Sequence, residues 1–379
     1  MTGSVLWGGL LGDAEIEAFF CDEAEIAAMI EVERALARAQ GRTGVIPAEA
    51  ARAIESGLAG VAVEPERLAA GTASDGVPVP ALVAALGRAL PAGAAHFLHW
   101  GATSQDIMDT GLVLRLSGAL DVLAARLAAL VEALADLAER HADLLMAGRT
   151  RTRVATPITF GLRAAQWLHP LPDLRDRLLA LRPRLARVEL GGAAGTLSVL
   201  GDRGPATVAA LAEELGLSPS PPWHASRTSL SELAGWCADL AAAIAKMAGD
   251  MILMARSEAG EARLAAGGGS STMPHKANPV GAETAIALAR HVAALSASAH
   301  AFVTHQEERD GVAWTLERLA LPPILVSTGA ALRHGLALAD GIEPVPAAMA
   351  RGLGLDSGGA MAEAARFALA ARMPRAEAK

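Results

Sequence analysis

The sequence predicts an all-α protein built as a bundle of long helices, and three observations predict it. Ala and Leu are abundant in a composition that is 52% hydrophobic and 3% aromatic, with no Tyr at all. Ala and Leu favour helix, and the β-branched and aromatic residues that favour strands are sparse. Leu116, Leu120, Leu123, Leu127, Leu130, Leu134 and Leu137 recur at alternating intervals of four and three, which is an apolar heptad seam. Two later stretches, 228–265 and 279–306, also carry long helical patterns. In the first, Leu230, Leu233, Trp236, Leu240, Ile244, Met247, Met251 and Met254 share one face. Thirty-odd helical residues span about 50 Å. A rod of that length needs other long helices to cover its apolar stripe, and such seams can continue across subunits.

Taken in order, residues 1–100 read as an N-terminal helical domain. Residues 14–39 carry a helical pattern ending near Gly41, with Glu33 and Arg34 expected on a solvated face. Shorter helices are expected over 48–57 and 81–90, separated by Gly- and Pro-bearing turns around 71–80. Residues 101–341 form the expected central long-helix domain, beginning with a seam helix over 111–146. Residues 342–379 are short, rich in Ala and Pro, and expected to be peripheral.

Three polar segments interrupt the helical pattern. The first, His99-Trp100-Gly101-Ala102-Thr103-Ser104-Gln105-Asp106, crowds hydroxyl residues just ahead of the seam helix. Free N–H groups at a helix N-terminus attract anions, and an ordinary N-cap accounts for the same residues. The second, Gly148 to Pro157, alternates Arg149, Arg151 and Arg153. On an extended backbone alternate residues share a face, so three guanidinium groups would suit a multiply charged carboxylate. A solvated basic turn is the competing reading. The third, Gly267 to Pro279, packs three glycines, Ser270, Ser271, Lys276 and Asn278 between two long helices. These residues supply hydroxyls, a fixed positive charge and neutral donors for a carboxylate whose neighbouring carbon exchanges a proton. The Gly191–Gly195 stretch does not fit a dinucleotide fingerprint, because no strand precedes it and its glycine spacing is wrong. His224 reads as a structural histidine. Residues 305–310 and 314–317 open a last long helix ending near 335–341.

A net charge of −8 argues against nucleic acid or an anionic membrane surface as partner. The two cysteines, Cys21 and Cys237, form no metal-spaced pair and suggest a reducing compartment. No secretory signal is read at the N-terminus, and charges break the apolar runs, so a cytoplasmic protein is expected.

The third segment, G-S-S-T-M-P-H-K-A-N-P, resembles the signature of the fumarase/aspartase superfamily. The first and second segments resemble that superfamily's two substrate-binding regions, in the required order. The resemblance covers nearly the whole chain. It implies a fumarase/aspartase-like long-helix bundle, a homotetramer whose central helices form a shared core, and active sites built from three subunits. Within the superfamily the chain resembles the bacterial cycloisomerases that lactonise 3-carboxy-cis,cis-muconate. His99 to Asp106, Met273 to Lys276, and Gln306 to Arg309 with Trp314 and Glu317 carry that likeness. Superfamily lyases have His after G-R-T in the second region, paired with a Glu seven residues beyond the signature Lys. Here those positions are Arg151 and Glu283. A guanidinium stays protonated and cannot shuttle protons as imidazole does. The resemblance therefore leaves Glu283 a supporting role, paired with Arg151.

The implied substrate is a small tricarboxylate, and no metal or organic cofactor is implied. By matched position, Ser270, Lys276 and His99 are the catalytic candidates, with Ser270 or His99 carrying the proton. Thr103, Ser104, Gln105, Arg149, Thr150, Arg151, Ser271, Met273, Asn278 and Arg309 are the substrate-binding candidates. An adenylosuccinate-type lyase and a non-catalytic helical scaffold are the other readings.

Overall fold

The computed structural model describes residues 4–265, 268–269, 273, 277–355, 358–374 and 377. They are mostly helical, as composition and periodicity implied. The helices that matter most are Asp22–Thr43, Ser104–Arg140, Thr228–Ala255, Val280–Phe302 and Gly311–Gly341. The described strands form two antiparallel pairs. Every leucine of the seam from Leu116 to Leu137 is at most 2% exposed, and so is every residue of the apolar face from Leu230 to Met254. Among the described residues, no helix is long and apolar enough to cross a membrane.

The chain divides into two compact units. One comprises the residues up to Val122, Arg177–Trp236 and Ala294–Val326. Here Asp22–Thr43 packs against Ala48–Leu58 and Gly204–Leu215. Leu36, Ile54, Leu82, Leu86 and Leu211 lie in their common core, each at most 1% exposed. The helix expected over 14–39 is broken. Asp13 caps a first turn by accepting from the N–H of Ile16 at 3.1 Å, and a new helix starts at Asp22. Asp22, Glu23 and Glu25 occupy its first turn, where carboxylates complement the helix dipole. It ends on Gly44 in the left-handed conformation rather than near Gly41. Glu33 is 1% exposed, not solvated as its sequence neighbours suggested. The Gly71–Pro80 stretch expected to form turns contains part of a helix, Glu66–Asp75.

The other unit comprises Leu123–Asp176, Cys237–Ala293 and Ser327–Lys379. Within it, the Arg126 guanidinium donates to the carbonyl of Gly329 at 3.3 Å. Burial pushes the Cys237 thiol up to about 12, partly opposed by a hydrogen bond with Thr328. The seam helix starts earlier than expected, at Ser104, and stops at Arg140. Beyond it the chain forms a hairpin of Leu145–Thr150 and Arg153–Thr159. Val154, Thr156 and Ile158 are β-branched at alternate positions, which favours strand. The helix expected to reach 265 ends at Ala255, and Ala262–Leu264 pairs with Ile342–Pro344. Residues after 341 are thus partly integral, since Ala348 and Met349 are at most 2% exposed. The helices Phe160–Leu168 and Pro170–Leu185, and Gly204–Leu215 in the first unit, are additional to those the sequence pattern marked.

Because the seam is fully buried, Leu127→Ala should destabilise the protein by about 2–5 kcal/mol. Chemical denaturation monitored by helical circular dichroism measures the loss.

Candidate active site

The first polar segment runs into the N-terminus of the Ser104–Arg140 helix, and Asp106 sits at its third position. Asp106 Oδ2 accepts from the N–H of Thr103 at 2.8 Å, the reciprocal half of a capping box. The same oxygen accepts from the N–H of Gly192 at 3.0 Å. Oδ1 accepts from the N–H of Gly191 at 2.9 Å and pairs with His224 Nε2 at 2.7 Å. One carboxylate therefore joins the first segment, the Gly191–Gly195 turn and the loop at His224. The Gly-rich turn works by closeness rather than by cradling a nucleotide. A Cβ at Gly191 would lie 2.8 Å from His224 Cε1 and 2.9 Å from Pro222 Cβ, so a side chain there would force the cluster apart.

A second buried carboxylate, Glu189, stands beside this pair. Its Oε2 accepts from the N–H of Trp223 at 2.7 Å, and its Oε1 lies 3.4 Å from His224 Nε2. Burial, then the charges of Asp109 and Asp106, push the Glu189 carboxyl up to about 9, so it is neutral at pH 7. Asp106, Glu189 and His224 bring one ligand atom each within 4.8 Å of the others. The 2.7 Å separation of His224 Nε2 and Asp106 Oδ1 is a hydrogen-bond length. Two ligands at about 2.1 Å from a tetrahedral metal would stand farther apart. The trio is therefore a hydrogen-bonded cluster in this geometry, with backbone N–H groups holding its carboxylates.

One turn further along the helix, Asp109 binds Arg227, which is fully buried. Arg227 makes forked bonds to Asp109 at 2.6 and 2.9 Å and to Glu317 at 2.7 and 2.5 Å. Its guanidinium stacks 4.6 Å from the Trp223 ring. Burial alone would lower the Arg227 pKa, but Asp109 and Glu317 outweigh it and raise it. Gln105 is fully buried and bound on both ends of its amide. Its Nε2 donates to Asp109 at 3.0 Å and to the carbonyl of His224 at 3.1 Å, and its Oε1 accepts from Arg309 Nε at 2.9 Å. Arg309 Nη2 also donates to the carbonyl of Ala193 at 3.1 Å. The structure thus gathers His99, Thr103, Ser104, Gln105 and Arg309 into one unit.

Arg149, Thr150 and Arg151 belong to the other unit. The three alternating arginines do not line one face of a single strand. The chain reverses at Arg151-Thr152, flanked by the pair Thr150 and Arg153. Both tip residues have positive φ, 50° and 68°, as a two-residue hairpin turn requires and as a β-branched Thr rarely adopts. Arg149 turns inward. It forks onto Glu261 at 2.8 and 2.6 Å, and Glu261 is 1% exposed. Gly352 makes room for this pair, since a Cβ there would lie 2.5 Å from Glu261 Oε1. Arg151 and Glu283 are both exposed, and among the described residues no ion pair joins them. Of the signature loop, Ser270, Ser271 and Lys276 lie outside the described residues. Met273 is 41% exposed. Gly268 and Asn278 close the root of the loop by exchanging backbone hydrogen bonds at 2.8 and 2.9 Å.

Residues 11–294 match the family model described as lyase, and the chain belongs to that family. The 3-carboxy-cis,cis-muconate cycloisomerase of Pseudomonas aeruginosa is 43% identical over 96% of this chain and 80% of that protein. The crystal structure of the 3-carboxy-cis,cis-muconate lactonizing enzyme from Pseudomonas putida matches with a TM-score of 0.90 and 38% identity, over 99% of this chain and 85% of that one. The crystal structure of a fumarate lyase from Mesorhizobium sp. BNC1 matches with a TM-score of 0.92 and 35% identity, over 100% and 85%.

Glu189, Arg227 and Glu261 are site and core residues that the sequence pattern did not single out, and Glu33 is one that it placed on a solvated face. For Glu33 the available signal was spacing, since it lies seven residues before Gln40 on one helix.

The raised Glu189 carboxyl makes stability depend on pH. The folded protein keeps a proton that the unfolded chain releases near the ordinary carboxylate value of 4.5. That contribution is complete below the ordinary value and is lost as pH rises through about 9. Glu189→Gln should therefore flatten the decline of the urea midpoint across this range. An unchanged slope would show that Glu189 ionises normally.

Proposed function

We infer that the protein is a cycloisomerase that converts 3-carboxy-cis,cis-muconate to 4-carboxymuconolactone. The observation that carries this reading is similarity to cycloisomerases along nearly the whole chain, at 43% identity for the Pseudomonas aeruginosa enzyme. Arg151 supports it from the site, since it stands where superfamily lyases carry the proton-shuttling His. One carboxylate of the substrate adds across a double bond and closes the lactone ring. The electron pair displaced from that bond builds up beside another carboxylate, and the carbon there takes a proton. At neutral pH the reaction consumes one proton per turnover, because an ionised carboxylate becomes an ester.

By matched position, Lys276 and Asn278 hold the carboxylate as it becomes enediolate-like, with Ser271 and Met273 lining the same loop. Donors fixed in place before the reaction stabilise such charge best. Thr103, Ser104, Thr150 and Arg151 grip the remaining carboxylates. Gln105, Arg309 and Arg149, all bonded within the protein, hold the walls, and Glu283 supports the second region. Ser270 and His99 are the two candidates to carry the proton. From the superfamily resemblance we also infer a homotetramer whose sites draw on three subunits. Residues 1–100, 101–341 and 342–379 serve as its N-terminal, central and C-terminal regions, and the enzyme works in the cytoplasm.

The fumarate lyase similarity favours a second reading, a lyase that releases fumarate. The two separate in one cuvette. The cycloisomerase should abolish the ultraviolet absorbance of the muconate diene and release no fumarate from adenylosuccinate. An intact diene together with released fumarate would reverse the assignment. Lys276→Met should lower kcat by about 10²–10³-fold, the usual cost of losing one such donor.

A further inference from the structure

His99 is one of five described non-glycine residues with positive φ, at 60°. A residue held in this sparsely populated region needs its surroundings to keep it there. Two side chains of the Asp22–Thr43 helix do so. Gln40 Nε2 donates to the carbonyl of Trp100 at 2.6 Å. Glu33, seven residues earlier and hence two turns along the same face, meets His99 Nδ1 with its Oε1 at 2.6 Å. Both are 1% exposed, so the helix presents a buried polar stripe to the segment at His99.

The pairing is one-sided. The Glu33 side chain has no solvent exposure, and its Oε2 is buried without a hydrogen-bond partner. A buried carboxylate with one oxygen unsatisfied is costly unless a positive charge sits beside it. The imidazole is the cation available there. Its Nδ1 is committed to Glu33, and the side chain remains 20% exposed, which leaves Nε2 as the titrating atom. Burial alone would lower the His99 pKa. Glu33 first, then Asp106 from the Ser104–Arg140 helix, reverse this and raise it.

We propose that Glu33 is a positioning residue that holds His99 as an imidazolium, and that His99 rather than Ser270 delivers the proton to carbon. The assignment rests on the cycloisomerase reading, because that reaction takes up a proton. An imidazolium meets the demand directly. The His99 Nε2–H bond breaks, the carbon beside the enediolate carboxylate gains the hydrogen with its own electron pair, and neutral imidazole is left. Water reprotonates the ring before the next turnover. A serine hydroxyl would have to become an alkoxide to do the same.

The experiment combines kinetics with an imidazole titration followed by NMR in labelled protein, using His99→Asn to assign the resonance. In the wild type, His99 should titrate above the ordinary value of 6.5, and the basic limb of the kcat profile should follow it. Glu33→Gln keeps the acceptor but removes the charge. It should lower the midpoint by at least about one unit, move the basic limb with it, and reduce kcat by about 100-fold with KM within about twofold. Adding Glu33→Gln to His99→Asn should cost nothing further. A basic limb that ignores Glu33, in an enzyme that does consume the diene, overturns the inference and returns the proton to Ser270. A wild-type midpoint at or below the ordinary value overturns it as well, and decides alone if Glu33→Gln fails to fold. An enzyme that leaves the diene intact instead sinks the cycloisomerase reading beneath it.

Discussion

Asp106 is the point on which the first polar segment depends. Its two oxygens take three backbone N–H groups and one imidazole nitrogen, from segments far apart in the chain. None of those segments is regular structure at the point of contact. A loop keeps one conformation only if its backbone polar groups have partners, and here a single carboxylate provides them. The carboxylate is in turn stabilised by its place at the third position of a long helix, where N–H groups and the helix dipole favour negative charge. The long buried helix thus sets the site by fixing where that carboxylate stands.

Within each unit the bonded arginines work mainly on the protein itself. Arg227 joins Asp109 to Glu317 in the core, Arg309 braces the Gly192 and Ala193 carbonyls, and Arg149 in the other unit locks onto Glu261. A forked guanidinium suits such duties because it orients two or three segments at once. Removing Arg227 or Arg149 leaves a buried carboxylate with no counter-charge, which costs far more than the pair contributes. For the inferred cycloisomerase, we propose that substrate recognition falls to the hydroxyls, the hairpin tip and the signature loop. A substrate with several carboxylates suits this division, since each can be met by short neutral donors as well as by cations.

Much of the fold was legible because the leucine seam and the Leu230–Met254 face are periodic, and periodicity reports burial. The three polar segments were legible as chemistry because hydroxyls, glycines and charges concentrate in them. The residues that residue type concealed share one physical cause. Glu33, Glu189, Arg227 and Glu261 look like surface charges by type, yet each is buried by a partner distant in sequence. Helical pattern also cannot mark where a helix stops when Ala and Leu continue. The break before Asp22 and the strands after Arg140 and Ala255 therefore left no trace in it. The alternating arginines suggested one extended face, but alternation says nothing of a reversal at Arg151-Thr152.

That reversal bears on how the family diversifies. The left-handed backbone that holds Arg151 is one that His adopts more readily than most side chains. The position at which this chain departs from the proton-shuttling lyases therefore sits on a tip that accommodates either residue without rebuilding. A lineage can exchange an imidazole for a guanidinium there in a single step, keeping the hairpin, its Glu261 anchor and the surrounding helices intact. On such a backbone the choice between imidazole and guanidinium carries little conformational cost.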